Sequence, residues 1–372
     1  MMKNILTFSL LFLLTLLSGC KTSSITAPLP PDQEKVRVEI VDIPYNTETF
    51  LRVPYTVSLW EYFREGLTLK KIEVLNHADL SNLMTIEGDA LPFVYHMPLP
   101  TNPYFTLDPI NRCYLSIQLP LPLAGVRPQK LYHRFHLADT LSGKTVTVEG
   151  GEVVPRYNES PVVIASPVKG KNWLFLNQST MAYHFYVLFF KDKKILCGER
   201  FAFDNIRLDD TYKDYFSGDP TKNESYFNYR DTLYAVAPGT VVTLHDGRPE
   251  NSGNQHDAPM ATMDELGGNY LILDIGNGKY AMYGHFVPGS FFVKQGDVVQ
   301  EGQPVALLGN SGNSDAPHLH FQVTDAPDML FARGVPYIWK TYTKLGDIES
   351  GPITPVKINN AGCEENTVLS FD

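Results

Sequence analysis

Three things are missing from this 372-residue sequence: a run of basic residues, a Cys-x-x-Cys pair, and an apolar stretch as long as a bilayer is thick. With 31 Lys+Arg against 41 Asp+Glu and a formal net charge of −10, the chain lacks the positive face that nucleic acid or an anionic membrane surface requires. Its four cysteines, with no paired spacing, exclude a thiolate zinc site. The longest apolar run, ILTFSLLFLLTLL at 5–17, is shorter than the roughly 20 residues that span a membrane as a helix. Helical periodicity is almost absent, which sets bundles and coiled coils aside. What is abundant is 27 Gly, 27 Pro and 12% aromatic residues in a chain that is 43% hydrophobic. That mixture predicts short strands joined by many turns, and the length predicts two domains at roughly 100–200 residues each.

The start of the chain carries an address. Met1, Met2, Lys3 and Asn4 precede the apolar run, and together they form a signal peptide over 1–19. The run closes with LSGC, ending at Cys20. That box resembles the bacterial lipoprotein signal, which implies cleavage before Cys20, a lipid on its sulfur and an envelope protein tethered to a membrane. The segment 20–35 is Ser/Thr/Pro-rich, as a linker from membrane to domain should be. With Cys20 lipidated, Cys113, Cys197 and Cys363 remain, an odd number that allows at most one internal disulfide.

From 36 to 154, runs such as VRVEIVDI, LKKIEVLN, CYLSIQLPL, LYHRFHLAD and TVTVEGGEVV alternate with Pro, Asn, Asp and Gly breaks. An immunoglobulin-like β-sandwich is expected there. Its histidines, His77, His96, His133 and His136, share no catalytic spacing. The two in LYHRFHL are three apart and so point to opposite faces of a strand; they read as surface or core polar groups. After the hinge-like VVPRYNESP, a second all-β domain is expected over 155–340, with strands at WLFLN, YHFYVLFF, ILCGERFAF, TLYAVAPGTVVTL, NYLILDIG, KYAMYGHF, QPVALLG and HLHFQV. Long loops at 205–229 and 246–269 are expected to wall a groove. The tail, 341–372, shows no pattern.

Chemistry concentrates at the end of the second domain. In GNSGNSDAPHLHFQV a Gly/Asn/Ser-rich turn leads toward a strand in which His318 and His320 share one face, with Leu319 and Phe321 on the other. Two imidazoles so placed can bind a metal or move protons. Upstream, KYAMYGHF ends with His285. Taken together, YGHF and QGDVVQEGQPVALLGNSGNSDAPHLHFQV resemble the LytM and lysostaphin-type zinc metallopeptidases, which cleave bacterial peptidoglycan, and the resemblance extends over 161–337. It implies an antiparallel β-fold with a narrow groove, and a zinc ion held by the His and Asp of an HxxxD motif and the second His of HxH. Carried over, His320 is a zinc ligand, while His318 and His285 are the catalytic pair that orients water and steadies developing charge. The run VKQGDVVQEGQPVALLG also resembles the turns of lipoyl and biotinyl carriers, but their exposed lysine is absent.

The first motif departs from the family. Asp204, in ERFAFDNIRLD, takes the place of the HxxxD carboxylate, and four residues before it stands Arg200. Arginine offers only donors and stays protonated, so it cannot ligate zinc. The candidate third ligand is His184 in YHFYVLFF, paired with ILCGERFAF through a hairpin at KDKK. A three-residue loop would set His184 opposite Arg200 and on the face of Asp204; a four-residue loop would set it opposite Phe201 and facing away. His256, beside Asp257 in a long loop, is a weaker substitute, and Asp209, Asp210 and Asp214 read as solvated loop acids.

Two functions stay open at this point. One is a zinc-dependent envelope endopeptidase that hydrolyses peptide crosslinks or bridges in peptidoglycan, with Zn2+ as cofactor and His184, Asp204 and His320 as ligands. The other is a degenerate LytM-like protein that binds the wall or activates another hydrolase, with the Arg200 guanidinium in the groove taking a carboxylate.

Overall fold

The computed structural model describes residues 36–59, 62, 66–96, 114–139, 141–176, 183–186, 188–191, 194–260, 262 and 265–372. The signal segment, Cys20, the linker and Cys113 lie outside the described residues. The chain is all-β, its strands joined by loops and short 3-10 turns among the described residues. No described helix is long and apolar enough to cross a membrane.

The amino-terminal region is two antiparallel sheets. One runs Arg37–Val41, Phe50–Ser58, Tyr114–Pro122, Tyr95–His96, and the other Asn82–Glu87, Leu67–Asn76, Leu131–Asp139, Thr145–Val153. Alternation decides what faces inward: in LYHRFHLAD, Leu131, His133, Phe135 and Leu137 are fully buried, whereas Tyr132, Arg134 and His136 are half-exposed. The inward residues meet Val53, Tyr55, Val57, Ile72 and Ile117 in one core, each buried large side chain contributing roughly 1.5–3 kcal/mol. His133 is therefore a core residue, held by the Tyr55 hydroxyl at 2.9 Å and the Gly151 carbonyl at 2.8 Å. His136 faces outward onto Glu73 at 2.9 Å.

Phe50–Ser58 is a strand beyond those expected from the sequence, and it carries a residue that central strands seldom hold, Pro54. Its carbonyl accepts from the Asp42 N–H at 3.1 Å, and in a strand one residue's donor and acceptor point to the same side. The missing N–H thus faces the end of the Arg37–Val41 pairing, and no bond to Tyr114–Pro122 is lost.

The rest of the chain builds an eleven-stranded sheet in which the order at the centre is Gly170–Leu176, Phe203–Arg207, Leu319–Thr324, Tyr280–Gly284, Tyr270–Asp274. Behind this centre lies an aromatic core, with Phe203 stacked on Phe321 at 5.3 Å and both against Trp339. The tail is not the unpatterned segment that its sequence suggests. Tyr337–Asp347, Gly351–Ala361 and Thr367–Phe371 are strands of this sheet, and Trp339 and Phe371 are part of its core. Proline at 352 and 355 and many polar residues in the exposed middle strand hide the alternation.

The two regions interlock. Tyr45, from the amino-terminal side, is buried in the carboxy-terminal core and meets Phe201 edge-on at 6.0 Å. Around it, Thr47 bridges Gly362, Arg52 pairs with Glu364 at 2.5 Å and Lys344 with Glu48 at 2.7 Å. Cys197 and Cys363 are both buried.

Candidate metal centre

Asp204 lies on a central strand, directly opposite His320 on the next. Because neighbours alternate, Phe203 and Phe321 point into the aromatic core and hold the backbone, while Asp204 and His320 share the other face. Asp204 Oδ1 is 3.1 Å from His320 Nδ1. His318, just before the strand, brings Nε2 to 3.5 Å from the same oxygen.

His184 comes from outside the sheet. The 3-10 turn Tyr183–Tyr186 sets its Nε2 3.7 Å from Asp204 Oδ2 and its ring edge-on to His320, 4.9 Å away. The ligand atoms of His184, Asp204 and His320 all lie within 4.8 Å of one another. Two details of the expectation are corrected. YHFYVLFF is not one strand, and neither is ERFAF: 198–201 is a second 3-10 turn. The short hairpin pairs Phe189 with Leu196, the register that, continued, would turn His184 away from Asp204. It does not continue, because both strands stop there, and the turn reorients His184.

Arg200 is the second correction. Its guanidinium does not lie in a groove: the side chain is 0% exposed, with Nε donating to Asp42 at 2.7 Å and Nη1 to Ser116 at 3.1 Å. His256 lies against Asp315 at 3.5 Å and is not among the gathered donors. Asp209 caps its own loop, accepting from Thr211 and Lys213, and Asp210 takes Lys171 and Asn172.

His285 follows the strand Tyr280–Gly284 with a φ of 67°, a left-handed conformation that is unusual for a side-chain-bearing residue. The strain turns its ring beside those of His318, at 4.5 Å, and His320, at 5.9 Å. Its Nδ1 lies 2.7 Å from the Ser311 carbonyl; a carbonyl only accepts, so Nδ1 carries the proton. The same logic fixes His318, whose Nδ1 donates to the Ala316 carbonyl at 2.8 Å. In His320 the assignment is reversed. Gln322 donates its amide to the Met329 carbonyl at 2.7 Å, so its own oxygen faces His320 Nε2 at 2.8 Å and accepts that proton. His320 is left with Nδ1 toward Asp204.

The electrostatics follow from this packing. Burial opposes charge on Asp204, yet His184, His318 and His320 hold its carboxyl well below the usual range. Burial lowers His184 in spite of Asp204 and, with His318 and His320, holds His285 well below the ordinary imidazole range. Burial also works against charge on His318 and His320, but Asp204 outweighs it in both, raising the first and pushing the second up to about 9. One carboxylate therefore organises three imidazoles, the donor chemistry of a zinc site.

The described parts of the loops at 205–229 and 246–269 are pinned beside this centre. Asn251 donates to the carbonyls of Asn310, Gly312 and Ser314, and Asn310 donates to Asn223 and Gly253. These buried amides fix the turn that leads to His318, and Ser314 touches His318 directly at 3.1 Å. The sequence reading missed them. It also missed Gln322, which its place two residues after His320 could have revealed.

Residues 227–330 match the family model of Peptidase family M23, a span that includes His285, His318 and His320 but stops short of His184 and Asp204. Over 124 residues the chain is 30% identical to peptidoglycan DD-endopeptidase ShyB of Vibrio cholerae serotype O1, 33% of this chain and 28% of that protein. Over 90 residues it is 32% identical to peptidoglycan DD-endopeptidase ShyA of the same organism, 24% of this chain and 20% of that protein. The chain thus spans less than a third of the length of these curated relatives. Among solved structures, the catalytic domain of lysostaphin from Staphylococcus simulans is 24% identical and covers 32% of this chain and 84% of its own, at a TM-score of 0.22. The assignment of this segment rests on the family model and the two relatives, not on that overlay. The chain carries a domain of Peptidase family M23, of the LytM and lysostaphin kind that its motifs resemble.

Proposed function

We propose that this protein is a zinc-dependent endopeptidase of the cell envelope that hydrolyses peptide bonds in peptidoglycan crosslinks or bridges. The observation that carries this reading is the convergence of His184, Asp204 and His320 donor atoms within 4.8 Å, with two further imidazoles beside them. Three protein donors match what catalytic zinc sites use, leaving one position open. When bound there, zinc supplies Lewis acidity, polarising a carbonyl and making water reactive near neutral pH.

The remaining roles belong to His318 and His285. Each has its Nδ1 proton committed to a backbone carbonyl, so each presents Nε2 as its working atom. His318, raised by Asp204 against burial, can carry a second proton on Nε2 and donate it to the oxyanion that develops as the carbonyl is attacked or to the leaving amine, whereas His285, held low by burial, keeps Nε2 bare as an acceptor that can take a proton from water. No nucleophilic side chain takes part, so hydrolysis would proceed without a covalent intermediate. The address read from LSGC, through lipidated Cys20, would hold the enzyme at a membrane within reach of the wall.

The test is metal analysis of the mature chain after dialysis against a weak chelator, together with release of new amino termini from purified peptidoglycan. Near-stoichiometric zinc, lost in His184→Ala, and amino termini that appear only with the intact site are expected. A folded protein that keeps its zinc in His184→Ala, or that is loaded yet releases nothing, overturns the reading.

A further inference from the structure

Arg200 occupies the place where the resemblance expects a ligand, and its side chain is spent elsewhere. It is 1% exposed, on the 3-10 turn Gly198–Phe201. From there it reaches into the amino-terminal sandwich, to Asp42 at 2.7 Å and Ser116 at 3.1 Å, both nearly fully buried. Ser116 is itself bonded to Thr56 at 3.2 Å, and the Asp42 N–H to the Pro54 carbonyl, so the anchor sits on two paired strands. On its other side the guanidinium carbon stands 4.2 Å over the ring of Phe185. Phe185 is 2% exposed, packs edge-on to Phe201 at 6.1 Å, and is the residue next to His184 on the same one-turn helix.

This is a costly arrangement if it serves only to join domains. A buried ion pair is seldom more stabilising than apolar residues of the same volume, and Tyr45 already supplies apolar contact across the same boundary. What the pair adds is direction. A guanidinium held by a carboxylate is a flat plate in a fixed place, and a ring lying against it is fixed in turn. The turn that carries His184 is too short to hold a geometry by its own hydrogen bonds.

We propose that Arg200 is a positioning residue: the Asp42–Arg200 pair seats the guanidinium on Phe185, and that seat determines where the adjacent His184 presents its imidazole to Asp204 and His320. The amino-terminal sandwich is then a working part of the metal site. The place of a lost ligand holds the strut that positions its replacement. This rests on the reading of His184 as a ligand.

The experiment uses the full mature chain and measures zinc affinity by chelator competition, the visible absorption of the cobalt-substituted protein, and the melting temperature of the metal-free form. The variants are His184→Ala, Asp42→Asn, and Asp42→Leu with Arg200→Met, which leaves no unpaired charge behind. The strut variants are expected to bind zinc weaker by roughly 10–100-fold, the effect of removing an outer partner of a metal ligand, and to shift the cobalt bands. A tie between domains alone would move the melting temperature and leave both metal readouts in place. Should either strut variant unfold, Phe185→Leu, which keeps the ion pair whole, decides instead. Zinc affinity within about twofold of the parent and an unchanged cobalt spectrum in a folded strut variant would overturn the proposal, provided His184→Ala has lost zinc. Equal zinc binding by the parent and His184→Ala would instead bring down the ligand reading itself.

Discussion

His133 in the amino-terminal sandwich and His320 in the carboxy-terminal sheet are alike in most respects. Both sit on strands, both are buried, at 0% and 5% exposure, and both have each ring nitrogen engaged. They differ in what surrounds them. His133 meets a phenol and a backbone carbonyl, and burial pushes it down to about 4. His320 meets a carboxylate with two more imidazoles within 6 Å of its ring, and the carboxylate overrides burial to lift it to about 9. Burial and hydrogen bonding are therefore common to a core histidine and a site histidine. Only the second stands where several groups converge on one charge.

The largest effect expected from breaking this contrast is at Asp204, the group the three histidines share. Asp204→Ala should remove zinc from protein dialysed against a weak chelator and abolish peptide release, a loss beyond the roughly 10–100-fold of an outer partner. Zinc retained at near-stoichiometric level would mean that the convergence is not a metal centre. Next in size, His318→Ala and His285→Ala should each lower kcat by roughly 10²–10⁴-fold, as for a lost general acid or base, with zinc content unchanged. A fall in zinc content parallel to the fall in rate would instead make either residue a ligand.

From the other side, the contrast is sharpened by titrating the sandwich. His133 has a folded pKa depressed below its unfolded value of about 6.5, so the unfolded chain binds the proton first. Its contribution is intact above pH 6.5 and is lost as pH falls toward 4. Between pH 6.5 and 5 this costs about 2 kcal/mol. Denaturant unfolding of the parent and of His133→Gln over that range should show the parent losing this stability and the variant losing less. Equal losses would mean that His133 is not the titrating group.

Much of this was legible in the sequence, for reasons that differ along the chain. Alternation in LYHRFHLAD and HLHFQV gave the faces of His133, His136 and His320 directly, because a strand's period is two whatever it packs against. Asp204 and His320 were named together as metal ligands from motif resemblance, and the structure sets them directly opposite each other on neighbouring strands. His184 was named with its face left open between two registers, and register does not decide it: pairing stops at 189 and 196, and a 3-10 turn orients the ring. Nothing local could have revealed Asp42, which is 158 residues from Arg200. Pro54 hid a central strand, since only tertiary structure shows that its absent N–H faces the end of a pairing.

The most discriminating effect expected is at Gln322. Both buried histidines have one nitrogen facing an oxygen, but the Tyr55 hydroxyl can donate or accept, whereas the Gln322 oxygen, fixed by its own bond to the Met329 carbonyl, can only accept. In His133 the Gly151 carbonyl holds the proton on Nδ1, so Nε2 accepts from the Tyr55 hydroxyl; in His320 Gln322 holds the proton on Nε2. With its Nε2 proton held, His320 has Nδ1 left for a metal. Gln322→Leu removes the acceptor, lets the neutral ring place its proton on Nδ1, and should weaken zinc by roughly 10–100-fold in chelator competition. Gln322→Glu keeps an acceptor against Nε2 and should recover most of that loss. If the leucine variant binds zinc as the parent does, the outer partner of His320 matters no more than that of His133, and the carboxylate alone sets the two apart.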